Sequence, residues 1–256
     1  MIMIEDKKSS SLHPLTIIAN EAIKIFNDLG FEAATGPELE SEWYNFDVLN
    51  VPPDHPAREM QDTFFIKKMS QTDADLTQTD AEKNSIKGGQ MLLRTHTTTV
   101  TARALEQAGK EGRLPCAFIS IGKVFRNEAT DATHEMQFFQ IDGAMIGENI
   151  SIADLKGVLT HFYKKMLGND VEIEFRPSYF PFVEPGLEVW VKFKNKWLEV
   201  MGCGMLHPNV LRNVGLDPEK VQGFAFGGGL DRIAMVKWGI PDVRLFYQGD
   251  LRLNQF

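Results

Sequence analysis

Cysteine is nearly absent from this chain of 256 residues: Cys116 and Cys203 are the only two, and they stand in no zinc-like spacing. The six histidines show no paired ligand pattern either. A reduced, cytoplasmic protein without structural metal is therefore expected. A surplus of positive charge is also missing, with 27 Lys and Arg against 35 Asp and Glu and a net charge of -8. That excludes a globally basic surface for nucleic acid, so any RNA contact has to use a local patch. No run reaches the ~18 apolar residues of a membrane span, and Met1 to Ser10 lacks an apolar core behind a basic end. No membrane association is expected. What remains, 43% hydrophobic and 24% charged, is ordinary globular composition, and the length suits one large domain.

The most informative stretch runs from Gly122 to Gly143. Two β-prone apolar runs, Cys116 to Phe125 and Met136 to Met145, flank a polar loop, the pattern of an antiparallel hairpin. Arg126 leaves the first strand. On the second, alternation puts Phe138, Gln140 and Asp142 on one face, so an aromatic ring, an amide and a carboxylate project together.

Around this hairpin the periodicity predicts an amphipathic helix from Pro14 to Leu29, closed by Gly30, a short strand over Phe31 to Thr35, and a second helix over Glu38 to Leu49. The segment between Ile66 and Met91 reads as an exposed loop or loose hairpin. Thr98 to Ala108 has helical spacing, and by themselves the hydroxyls around His96 read as a helix cap. Ser151, with Asp154 three residues on, caps a helix ending near Gly168. Strands are expected over Val171 to Phe175, Leu187 to Phe193 and Trp197 to Met201, with a tight turn at Lys194 to Lys196. In extended backbone Phe180 and Phe182 share one face with Pro181 pointing away; two such rings are more often core than ligand contacts. Gly223 to Gly229 is a short strand running into three glycines, and a helix follows with Arg232 in its first turn. Such a junction brings backbone close to a ligand and favours anions.

Several of these segments share a family resemblance. Phe125-Arg126-Asn127-Glu128, Asp131 to His134 and Phe138 to Gly143 together resemble motif 2 of the class II aminoacyl-tRNA synthetases, in the spelling of the bacterial phenylalanyl-tRNA synthetase α subunit. Gly36-Pro37-Glu38, Tyr44 to Asp47, Leu49-Asn50, His55 to Arg58 and Asp62 to Phe64 are similar to motif 1 and its sequel. Gly223 to Arg232, Gly239 to Arg244 and Asp250 to Arg252 resemble motif 3. The resemblance implies an α+β fold, an antiparallel sheet flanked by helices, with a tail at 1-12 and a catalytic domain over 13-256. It also implies that the family's N-terminal coiled-coil arm is lacking here. Residues 15-50 would carry an α-α contact.

The activity implied is phenylalanine activation by ATP and transfer to tRNA(Phe), with a β subunit as partner and Mg2+ as counter-ion. Arg126 would bind the α-phosphate and Arg232 the γ-phosphate, as the catalytic pair. His134 would assist at the phosphate tail, Glu128 and Phe138 would hold adenine, and Gly227 would border the nucleotide. His96, Thr98, Gln140 and Asp142 would face the amino acid's polar end. Phe180, Phe182, Val183 and Ala225 would face its ring, and Glu184 is the candidate magnesium ligand. Thr98, Thr101 and Asp142 depart from the residues usual in the family, Ser, Gln and Glu. Those departures keep an alternative open: a synthetase-like paralogue that binds an amino acid in a regulatory or non-tRNA role.

Overall fold

The computed structural model describes residues 12–59, 62–66, 89–132, 134–193, 195–249 and 253. The expected tail at 1-12 lies outside this range except for Leu12, as does most of the expected loop between Ile66 and Met91.

The first helix, α1 (Pro14–Asp28), has Pro14 in its opening turn, and the His13 ring accepts a hydrogen bond from the Leu15 amide at 3.3 Å. Gly30, at φ +85, turns the chain away. Strand β1 is shorter than its apolar run suggests, Glu32–Ala33. The helix expected over 38 to 49 does not form. Instead the chain makes β2 (Leu39–Ser41), a one-turn helix α2 (Glu42–Asn45) and a 3-10 turn (Asp47–Leu49). Backbone pairing overrides helical propensity here: β2 pairs with β3 (Met91–Leu93), and the Arg94 amide donates to the Glu38 carbonyl at 2.9 Å. Asn45 then ties the segment to Thr95, donating to its hydroxyl at 2.9 Å and accepting from its amide at 3.1 Å.

Helix α3 (Thr98–Lys110) leads into β4 (Cys116–Phe125) and β5 (Gln137–Gly147), the expected hairpin, paired in register from Cys116–Ile146 to Phe125–Gln137. Helix α4 (Ile152–Leu167) opens with a reciprocal cap, in which the Asp154 carboxylate accepts from the Ser151 amide and the Ser151 hydroxyl accepts from the Asp154 amide. Strands β6 (Ile173–Phe180), β7 (Val183–Phe193) and β8 (Lys196–Leu206) form a meander. Pro181 and Phe182 form the turn between β6 and β7 rather than a continuous strand. Proline has no ladder donor to lose at a turn. Helix α5 (Pro208–Asn213), β9 (Gln222–Gly229) and α6 (Leu230–Trp238) complete the core, followed by a 3-10 turn (Val243–Phe246). The three glycines lie inside β9, and the helix begins at Leu230.

The seven-stranded sheet has the order β1-β4-β5-β9-β8-β7-β6, antiparallel except for the β1–β4 edge. This is the expected α+β architecture. On one face α1, α4 and α6 bury Ile18, Phe26, Phe162 and Ile233 against Ile141 and Phe226. The Phe26 ring sits 4.8 Å from Phe162 and 5.1 Å from Phe226, the centre of an aromatic stack. On the opposite face, α3, α5 and the turn at 46 to 49 cover only one end of the strands, through Leu105, Ile146, Val210 and Leu211. The uncovered middle of that face is where the polar residues of β5 point.

Candidate active site

Three adjacent strands make a floor. Gln140 of β5 lies opposite Gly229 of β9, Asp142 opposite Gly227, and Ala144 opposite Ala225. On β8, Gly202 and Gly204 continue the rows from Gly227 and Ala225. Because β9 and β8 present mainly glycine and alanine here, these strands raise no bulky side chains of their own above the floor. A cavity of about 720 Å³ stands there, within the range that holds small-molecule ligands.

At the Phe138 end of β5, Arg126 holds its guanidinium 5.1 Å above the Phe138 ring. Its Nε donates to the Thr95 carbonyl at 3.2 Å, and Nη1 stands 3.8 Å from Glu128. Burial lowers the pKa of Arg126 from its ordinary value, and Glu128 opposes that shift. The loop beyond contributes His134, whose amide and ring nitrogen both face the Asp131 carboxylate, at 2.8 and 3.1 Å. Arg232 projects from the first turn of α6 and donates to the Glu199 carbonyl at 3.0 Å. Two cations thus border one end of the cavity, one of them at a helix N-terminus.

Farther along β5 the chemistry changes. Asp142 is 3% exposed, and its two oxygens accept from Thr98 at 2.7 Å and Thr101 at 2.8 Å. Burial pushes its pKa up to about 7, against the lowering effect of the two hydroxyls. The reading of the threonine cluster as a cap is corrected: no side chain caps α3, and Thr98 and Thr101 reach the carboxylate instead. Gln140 accepts the Thr97 amide on Oε1 at 3.2 Å, which leaves its NH2 as the free end. His96 borders this region with Nδ1 buried and without a hydrogen-bond partner; desolvation, with Arg126 nearby, brings its pKa down to about 4, so the ring is neutral. Opposite, the Phe180 and Phe182 rings stack at 5.8 Å, and Phe180 lies against Gly202. Ala225, nearly buried, closes the floor.

The family profile described as "tRNA synthetases class II core domain (F)" matches residues 1–256. The chain belongs to the class II tRNA synthetases. It is 46% identical to a phenylalanine–tRNA ligase alpha subunit of Dechloromonas aromatica (strain RCB), over 96% of this chain and 70% of that protein. It is 45% identical to proteins of the same description from Vibrio parahaemolyticus and Vibrio cholerae, over 97% of this chain and 69% of each relative.

Within this synthetase core the three motifs named from sequence converge as follows. Motif 2 supplies β4, β5 and the loop between them, motif 3 supplies β9 and α6, and the motif 1 segment lies at β2, α2 and the turn behind α3. Arg126, Glu128, His134, Phe138, Gly227 and Arg232 all line the cavity. So do His96, Thr98, Gln140, Asp142, Phe180, Phe182 and Ala225. Two named residues are not brought there. Val183 is buried against Gly204 on the same side of the sheet but does not line the cavity, and Glu184 stands outside with most of its side chain exposed, 3.5 Å from His207. Residues of β8 from Leu198 to Cys203, and Asp231 of α6, line the cavity without having been named. The small residue Gly202 was the available signal for β8, and Asp231 lies inside the stretch that resembles motif 3.

Proposed function

We propose that this chain activates phenylalanine with ATP, forming phenylalanyl-adenylate, and passes the aminoacyl group to tRNA(Phe) as the catalytic subunit of a phenylalanine–tRNA ligase. The observation that carries this reading is the polarity of one cavity, with Arg126, Phe138 and Arg232 at one end and Asp142, Phe180, Phe182 and Ala225 at the other. Activation joins a carboxylate to the α-phosphate and expels pyrophosphate, so the site has to bring two anions together in line. Arg126 would clamp the α-phosphate with its fork and stabilise the charge that grows there. Arg232 would hold the γ-phosphate and His134 would assist at the tail. Phe138 would stack under adenine, with Glu128 accepting from its amino group and Gly227 leaving the backbone open beside the nucleotide.

Asp142 would accept the substrate ammonium, and the Gln140 amide, its oxygen already engaged, would donate to the substrate carboxylate. The neutral His96 is suited to hydrogen bonding there without adding charge. The stacked phenylalanines would enclose the phenyl ring. An apolar end without a hydroxyl partner disfavours tyrosine by about 1–3 kcal/mol.

Among the described residues no three acidic, His or Cys side chains converge into a metal cage. Magnesium carried on nucleotide phosphates needs only one or two protein carboxylates. Glu135 and Glu199, both on the cavity wall, fit that need better than the outlying Glu184. When bound, the ion would neutralise phosphate charge. The family's partner β subunit, an α-α contact through residues 15-50 and a cytoplasmic location belong to the same reading; no helix among the described residues is long and apolar enough to cross a membrane. The test is phenylalanine-dependent exchange of labelled pyrophosphate into ATP, lost in Arg126→Ala.

A further inference from the structure

Asp231 lies in the cavity wall beside Arg232, 3% exposed, yet the chemistry above gives it no task. Its position explains its bonds. The β5–β9 ladder ends at the pair Gln140–Gly229, because β9 turns into α6 at Leu230. The next amide on β5, that of Phe139, therefore has no strand partner on this side, and Asp231 accepts from it at 2.9 Å. A carboxylate on the helix thus continues the ladder by one rung past the end of the strand. The other carboxylate oxygen accepts from the Tyr247 hydroxyl at 2.6 Å.

Tyr247 belongs to the segment after α6, and that segment is fastened at a second point: the Val243 amide donates to the carbonyl of Ala132 at 2.9 Å. Ala132 lies in the loop that carries Glu128 and His134. Asp231 therefore stands where three pieces of the nucleotide end meet. They are β5 between Phe138 and Gln140, the first turn of α6 with Arg232, and the C-terminal turn that holds the motif 2 loop.

We propose that Asp231 is a positioning residue of the nucleotide end: with Tyr247 it locks the helix carrying Arg232, the strand carrying Phe138 and the loop carrying His134 into one arrangement. This rests on the adenylation reading, since it assigns the lock to ATP rather than to the amino acid. Burial pushes the Asp231 carboxyl up to about 6, against the lowering effect of the Tyr247 hydroxyl and the Phe139 amide. Near neutral pH it remains an acceptor for both donors.

The test uses Asp231→Ala, Asp231→Asn and Tyr247→Phe, with KM for ATP and for phenylalanine measured separately in pyrophosphate exchange and ATP affinity measured by calorimetry. A displacement of about 1 Å at a reacting group can cost on the order of 100-fold. Asp231→Ala is expected to weaken ATP by at least about 10-fold while KM for phenylalanine changes less than about 2-fold. Asp231→Asn should restore most of the loss, because its oxygen can accept from Phe139 and its NH2 can donate to Tyr247. Tyr247→Phe should weaken ATP about 3-fold, and it decides the question if Asp231→Ala does not fold. Unchanged ATP parameters in the variants, or equal losses for both substrates, would overturn the lock while the adenylation reading stood. Wild-type protein that neither exchanges pyrophosphate nor binds ATP would overturn both. If the wild type binds ATP without exchange, the adenylation reading fails and the calorimetric comparison still decides whether the lock exists.

Discussion

Asp142 is a carboxylate with two hydroxyl donors and no cation among its contacts, so burial dominates its ionisation. Its raised pKa has a definite sign. The protonated form is favoured in the folded protein, so the associated stability is present below the ordinary carboxylate range and is lost as pH rises through about 7. For binding the sign is opposite, because only the ionised form attracts an ammonium group. KM for phenylalanine should therefore fall as pH rises from about 6 to 8, approaching 10-fold over that interval, as expected for one titrating group. KM for ATP should follow this trend much less. Initial-rate measurements across that range check the difference. Gly227 is tied to the same carboxylate: a Cβ there would sit 2.5 Å from Oδ2 of Asp142. Gly227→Ala should push the carboxylate off its hydroxyls and raise KM for phenylalanine by about 10-fold or more, about 1.4 kcal/mol in binding terms. A variant with unchanged KM would remove Asp142 from the amino-acid site. At this scale the sequence was informative where alternation decides, since Phe138, Gln140 and Asp142, expected on one face of β5, all line the cavity. It was misleading for Thr98 and Thr101, whose partner lies more than 40 residues away along the chain and cannot be seen in local spacing.

Elements were legible where periodicity and end signals agree. Helix α4 has both its stripe and its Ser151–Asp154 box, and its bounds were foreseen closely. Replacing Ser151 with Ala should lower stability by about 1 kcal/mol, read in denaturant melts, and leave both KM values unchanged. The segment 38 to 49 was misread because its conformation is decided by distant partners. Glu40, 1% exposed, accepts a two-pronged bond from Arg103 at 2.8 and 2.6 Å, and the Arg103 guanidinium lies 3.7 Å over the Tyr44 ring. The Tyr44 hydroxyl in turn donates to Glu106 at 2.5 Å. This network fastens β2 and α2 to α3. Arg103→Ala would strand a buried carboxylate; since the arginine is itself partly exposed, a loss of about 3 kcal/mol is expected, at the lower end for such pairs. A loss below about 1 kcal/mol in a denaturant melt would show that the pair is only a surface bridge.

At the scale of the whole molecule, the sheet order was beyond local reading: the chain-adjacent β4 and β5 meet β9, which arrives some 80 residues later and places motif 3 beside motif 2. The resemblance supplied what periodicity lacked, because a family motif carries its long-range neighbours with it. The architecture gives the account a single consequence to test: both substrates must meet over the bare middle of the sheet, so exchange of pyrophosphate into ATP must depend on the amino acid. We would measure that exchange on the chain alone and with the family's β subunit, comparing phenylalanine with tyrosine and using Arg126→Ala as the blank. The account predicts exchange that requires phenylalanine, strongly prefers it to tyrosine, and is abolished in the blank. Binding of phenylalanine with no exchange in either setting would contradict it and leave an amino-acid-binding protein built on a synthetase fold.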